Sequence, residues 1–147
     1  MAEFKYQEPF PIQKDSTEYR LLTKDYVKTI EVEGRKILKI QKEGLELLAR
    51  EAYTDVSFYL RASHLQKLAN ILKDPEASDN DKFVAHTMLM NQVVAAAGEL
   101  PTCQDTGTAI AIGKKGENVW TDGNDAEAIS KGVFETYRDH NLRYSQV

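Results

Sequence analysis

The stretch KEGLELLAREAYTDVSFYL, residues 42–60, decides the fold, because it carries a clear helical pattern near the middle of the N-terminal half. Apolar side chains recur along it at a spacing of three or four residues, at Leu45, Leu48, Ala49, Ala52, Val56 and Leu60. That spacing predicts a helix that begins near Gly44 and turns one face toward a core. The neighbouring elements are expected to supply the rest of that core.

Two segments of alternating apolar and charged residues predict β-hairpins on either side of the helical region. TIEVEGRKILKI (29–40) alternates on both sides of a turn at Glu33 and Gly34. TAIAI (108–112) and ENVWT (117–121), joined by the polar sequence GKKG, show the same arrangement.

Helix start signals mark two further helices after residue 60. Ser63 is followed three positions later by Gln66, a capping-box pattern that predicts a short helix, which Pro75 stops. Ser78 and Asp81 predict a second cap.

The helix that follows, from about residue 79 to residue 97, is expected to bury its large apolar side chains, which are Phe83, Val84, Leu89, Val93 and Val94. A last helix is predicted to begin after Asn124. The sequence thus predicts an α+β fold: a helix-rich domain with two small β-hairpins over residues 29–147. Residues 1–28 lack a steady period and are expected to form an extended arm, with a short strand near residues 19–22.

Composition limits the class of protein. A chain of 147 residues with 41% hydrophobic residues is long enough for one domain with its own core. Its net charge of -4 disfavours binding to nucleic acid or to an anionic membrane. A single cysteine forms no internal disulfide, and the first residues lack the pattern of a signal peptide, so we expect a cytoplasmic protein.

The stretch PTCQDTGTA (101–109) is the candidate site, because it groups the cysteine with polar side chains. Cys103 is a soft ligand of the kind that iron-sulfur clusters use, while Gln104 and Asp105 offer polar contacts to a small anion. A lone cysteine is also a common small apolar residue of a core, and an aspartate in a loop often bonds nearby backbone N–H groups.

This stretch resembles the class I iron-sulfur fumarases, in the fumarase and tartrate dehydratase family. YQEPFPIQKDSTEYRLLT (6–23), LKDPEASDNDKFVA (72–85) and NLRYSQ (141–146) resemble the same family in the same order. The resemblance implies the N-terminal part of a lyase that reversibly hydrates fumarate to (S)-malate in the tricarboxylic acid cycle. We expect the C-terminal remainder of that enzyme to be absent from this chain.

The resemblance also implies a cofactor and roles for four residues. Cys103 is expected to be one ligand of a 4Fe-4S cluster in the complete enzyme. A single cysteine is too few for such a cluster, so the chain alone is expected to hold none and to be inactive. The resemblance implies that Gln104, Asp105 and Arg143 contact the substrate and that Asp105 transfers a proton. Judged without it, Arg143 is a solvated charge near the chain end.

The partners expected from the resemblance are the fumarate or malate dicarboxylate, the C-terminal remainder of the enzyme and a second copy in a homodimer. Two alternatives stay open at this point. One is a hydro-lyase of the tartrate dehydratase type, and the other is a stand-alone binding module that keeps the fold without catalysis.

Overall fold

A computed structural model of the chain describes residues 3–8, 11, 18–103 and 107–142. Within these ranges it contains four helices and three strands, which confirms the predicted α+β class. In chain order they are β1 (Val27–Val32), β2 (Arg35–Ile40), α1 (Lys42–Phe58), α2 (Ala62–Ile71), α3 (Asp79–Ala96), β3 (Val119–Thr121) and α4 (Asp125–Asp139).

The first predicted hairpin is confirmed. β1 and β2 pair antiparallel, with Ile30 opposite Ile37. Glu33 and Gly34 form the two-residue connection and both have positive φ, at 49° and 75°. That backbone matches the type I′ turn, whose twist suits a right-handed hairpin.

The second predicted hairpin is wrong. Residues 108–112 form no strand, and β3 pairs instead with β2, in parallel, so that Leu38 lies opposite Val119. The order of the sheet is therefore β1-β2-β3. The alternation in 117–121 correctly indicated a strand. That strand pairs with the edge of β2 that β1 leaves free, and the helices between β2 and β3 provide the long crossover connection that parallel pairing needs.

The described part of the N-terminal arm has no strand near residues 19–22, contrary to the prediction. It is attached to the domain through charge instead. Arg20 forms ion pairs with Glu51 at 2.9 Å and with Asp55 at 3.0 Å, both on α1. These two ion pairs hold the segment against α1 without the backbone hydrogen bonds that a strand would make.

The predicted central helix is confirmed as α1, and it packs against α4 through small residues. Ala49 on α1 and Ala128 and Gly132 on α4 are all buried, which lets the two helices approach closely. Thr136, which is fully buried, donates its hydroxyl hydrogen bond to the carbonyl of Arg50 at 3.1 Å. The cavity described below lies beside this helix pair.

We predict that Gly132→Ala destabilises the chain by about 2 kcal/mol, although alanine is the better helix former by about 1 kcal/mol. A Cβ at this position would meet the carbonyl oxygen of Glu46, and would lie 2.8 Å from Cβ of Ala49 and 3.0 Å from the backbone nitrogen of Arg50. Backbone atoms of α1 cannot rotate away, so the helices must move apart. Chemical unfolding followed by circular dichroism measures the change.

Gly113→Ala is the matched control for this substitution, because a Cβ there has no atom within 4 Å. It is expected to leave stability unchanged or slightly raised. Equal stability of the two variants would contradict close packing between α1 and α4.

One of the two predicted helix caps is present. At the start of α3, the Ser78 hydroxyl accepts from the backbone N–H of Asp81, and the Asp81 carboxylate accepts from the Ser78 backbone N–H and hydroxyl. These bonds, first the hydroxyl and then the N–H, lower the pKa of Asp81. Ser63 is not a cap, because α2 already begins at Ala62 and the Gln66 amide donates to Asn70.

The burial predicted for α3 is wrong for its large residues. The residues of α3 that are buried are Ala85, Gln92 and Ala95. Phe83 is 69% exposed and Val93 is 63% exposed. The helix packs on α2 and on α1 through its small residues, so Phe83 and Val93 face outward, while Leu89 is half-buried.

No helix among the described residues combines the length and the apolar character that a membrane span requires.

Candidate functional site

Cys103 lies in the loop that follows α3, immediately after a buried residue. Thr102 is only 6% exposed, whereas Cys103 is exposed. The chain therefore passes from core to surface within one residue. In this structure Cys103 is therefore not a buried core residue.

A buried amide anchors this loop. Nε2 of Gln92 donates to the backbone carbonyl of Phe58 at 2.6 Å, and Oε1 of Gln92 accepts from the Thr102 hydroxyl at 3.1 Å. Because a carbonyl can only accept, the Phe58 contact fixes which end of the amide faces Thr102. Gln92 thereby links the end of α1, the C-terminal half of α3 and the loop.

Two backbone hydrogen bonds complete the attachment. The Thr102 N–H donates to the carbonyl of Ser57 at 2.7 Å. The Cys103 N–H donates to Oδ1 of Asn91 at 3.1 Å. The loop is thus tied to α1 and α3 at Thr102 and Cys103, two residues of the candidate site.

We predict that Gln92→Leu costs about 1–3 kcal/mol of stability, because it leaves the buried carbonyl of Phe58 and the hydroxyl of Thr102 without their partner. Gln66→Leu is the matched control, since the Gln66 amide bonds only to an exposed Asn70 side chain. The control is expected to stay within about 0.5 kcal/mol of the parent. Urea unfolding compares the two, and equal values would contradict the anchoring role of Gln92.

The other predicted site residues lie outside the described residues. Gln104 and Asp105 follow Cys103 directly, and Arg143 follows Leu142, the last described residue, which is buried. Their predicted roles in substrate binding and proton transfer therefore remain predictions. Of the four predicted site residues, the structure locates Cys103.

The described residues contain no group of three or more His, Cys, Asp or Glu side chains that could hold a metal ion. The one cysteine of the sequence offers a single thiolate. Iron-sulfur clusters are held by several cysteine thiolates, so Cys103 fits one corner of a cluster and needs ligands from elsewhere. The donor set is consistent with a shared cluster site.

A cavity of about 740 Å³ lies between α1, α4 and residues 107–113, beside the cysteine loop. Its walls are mainly apolar, and the described residues that line it include no Lys, Arg or His. Tyr53, one of them, has its pKa raised by burial and, to a lesser degree, by Tyr137. Among the described residues, the lining of this cavity therefore offers no cation that could pair with a dicarboxylate.

The residues that anchor the loop were missed at the level of sequence. Gln92 stands among apolar residues in MLMNQVVAA (88–96), and a polar residue in such a run is the signal that could have indicated it. Asn91 and Thr102 carry no comparable signal. Their importance follows only from where the chain brings them together.

Comparison with known proteins identifies the family of the chain. The family model described as Fumarate hydratase (Fumerase) matches residues 46–147, which include most of α1, all of α3 and the cysteine loop. The chain therefore belongs to the fumarate hydratase family.

Three relatives show how close the similarity is. Fumarate hydratase class I, aerobic, of Escherichia coli (strain K12) is 59% identical over 143 residues, which make up 97% of this chain and 26% of that protein. The anaerobic class I enzyme of the same strain has the same identity and coverage. Fumarate hydratase 2 of Leishmania major is 52% identical over 121 residues, 82% of this chain and 21% of that protein. The chain thus spans about a quarter of the length of these relatives.

Proposed function

We propose that this chain is the N-terminal part of a class I hydro-lyase that reversibly hydrates fumarate to (S)-malate. The observation that supports the proposal most directly is the 59% identity to class I fumarate hydratases along 97% of the chain. The relatives described above are fumarate hydratases by name, which supports fumarate rather than tartrate as the substrate. On this proposal the reaction belongs to the tricarboxylic acid cycle and takes place in the cytoplasm.

Cys103 is proposed to hold one iron of a 4Fe-4S cluster in the complete enzyme. Its exposure and the anchored loop beneath it support this role. When bound, such a cluster supplies a Lewis acid that polarises the substrate. The remaining cysteine ligands are proposed to come from the C-terminal remainder of the enzyme.

Besides ligation of the cluster, the proposed reaction requires three roles from residues of this chain. Hydration adds a hydroxyl group to one carbon of the fumarate double bond and a proton to the other, and the reverse reaction removes both. Asp105 is proposed to exchange the proton at the carbon next to a carboxylate. Arg143 is proposed to hold a substrate carboxylate through two parallel hydrogen bonds, with Gln104 as a further contact.

The domain assignment is part of the proposal: an arm over residues 1–28 followed by one α+β domain over residues 29–147. The ion pairs of Arg20 with α1, and of Glu8 with Lys114 at 3.0 Å, support an arm that lies along the domain.

A homodimer is also proposed for the complete enzyme. Large apolar side chains along α3 and just beyond it, among them Phe83, Val93 and Leu100, are more than half exposed. An apolar surface of this kind supports a covered interface.

Anaerobic cluster reconstitution tests the proposed function. This chain and the complete enzyme are each reconstituted, and iron content and fumarate hydration are measured. We predict iron and activity in the complete enzyme and substantially none in the chain alone. A cluster and activity in the short chain would contradict the ligand assignment. Iron-loaded complete enzyme that acts on tartrate instead would favour the tartrate dehydratase type, and neither iron nor activity would favour the non-catalytic module.

A further inference from the structure

Asn91 stands next to Gln92 on α3, but it contacts the exposed part of the loop. Its Oδ1 accepts from the backbone N–H of Cys103 at 3.1 Å, and its side chain is half-buried. We propose that Asn91 is a positioning residue for the proposed iron ligand Cys103: it holds the cysteine backbone in place before the cluster binds. This inference rests on the function proposed above.

Backbone geometry explains why the one hydrogen bond from Asn91 is enough to fix the position of the Cys103 Cα. Thr102 is already fixed, since its N–H donates to Ser57 and its hydroxyl to Gln92. With Thr102 fixed, the position of the Cys103 Cα depends on rotation about the bond between the Thr102 Cα and its carbonyl carbon. That rotation also turns the Cys103 N–H, because the peptide unit is planar. An acceptor for this N–H therefore stops the rotation.

A cysteine whose backbone is already ordered loses less conformational entropy when it ligates iron. Groups that orient a metal ligand without touching the metal commonly change affinity or activity by about 10- to 100-fold when they are removed. Asn91 meets this description, because its contact is with the Cys103 backbone N–H and not with the sulfur.

The first measurement is hydrogen exchange of the Cys103 amide in the 147-residue chain, which needs no cluster. Asn91→Ala removes the acceptor and is expected to speed the exchange. Asn91→Asp keeps an acceptor oxygen and is expected to retain most of the protection. Asn80→Ala, in the first turn of the same helix, is the matched control and is expected to behave as the parent does.

The second measurement is the rate at which the complete, reconstituted enzyme loses its cluster to an iron chelator without oxygen, followed by visible absorption. Asn91→Ala is expected to lose the cluster about 10-fold faster or more, with Asn91→Asp and Asn80→Ala close to the parent. Circular dichroism of each variant should show unchanged helix content.

Three outcomes would overturn the proposed role of Asn91. Unchanged exchange in Asn91→Ala would show that the hydrogen bond does not order the loop, and would overturn the inference. Faster exchange with an unchanged rate of cluster loss would overturn it as well, while leaving the proposed function intact. If the complete parent enzyme took up no cluster, the proposed function would fail, and the role of Asn91 toward iron would fail with it.

Discussion

Replacing Cys103 by alanine in the complete enzyme is expected to remove the iron-sulfur cluster and with it fumarate hydration. The substitution deletes one thiolate from a small ligand set, and no second cysteine in this chain can take its place. Loss of a Lewis acid that contributes several kcal/mol to the transition state lowers turnover by on the order of 10³-fold or more. Iron content, visible absorption and the rate of malate formation measure the effect.

Thr102→Ser is the control for this substitution, because serine keeps the hydroxyl that donates to Gln92. It is expected to retain the cluster and most of the turnover. If the Cys103→Ala enzyme kept the iron content of the parent, Cys103 would not be a cluster ligand. Loss of iron in both variants would instead indicate that the loop as a whole is sensitive to change.

Features determined by neighbouring residues could be predicted from the sequence. The turn at Glu33 and Gly34 needs a residue that accepts positive φ, and Gly34 provides one. Ser78 and Asp81 satisfy each other across three positions, so the start of α3 was predictable as well. The apolar face of α1 was predictable because helical spacing places its apolar residues on one side of the helix.

Features determined by distant residues could not be predicted. The alternation in residues 108–112 is typical of a strand, but it does not identify a partner, and Ile110 and Ile112 remain 74% and 75% exposed. β3 pairs with β2, where Val119 lies opposite Leu38, and three helices separate the two strands in the chain. Likewise the large apolar residues of α3 were assigned to a core, whereas Ala85 and Ala95 make its close contacts.

The candidate site divides in the same way. Cys103 could be named as a candidate from the sequence, because its type and its polar neighbours suggest metal chemistry. Gln92 could not, because its partners Phe58 and Thr102 stand 34 and 10 positions away in the chain. A sequence pattern can thus point to a candidate ligand, while the residues that hold the loop in place follow from tertiary structure.

Asp105→Asn in the complete enzyme is expected to lower turnover by about 10²- to 10⁴-fold while leaving the cluster spectrum intact. Asparagine has nearly the size of aspartate and can still accept a hydrogen bond, but it cannot take up and release a proton at this step. The loss should therefore appear in kcat. A residue that only binds substrate, as proposed for Gln104 and Arg143, should change KM when it is replaced.

Asp122→Asn provides the comparison, since Asp122 is an exposed carboxylate whose ion pair with Lys39, at 3.2 Å, lies on the surface. Surface ion pairs contribute little, so turnover of this variant should stay near that of the parent. Normal turnover in Asp105→Asn would exclude a proton-transfer role. Loss of the cluster in Asp105→Asn would assign Asp105 to the structure of the loop instead, because a carboxylate that only moves a proton is not needed to hold iron.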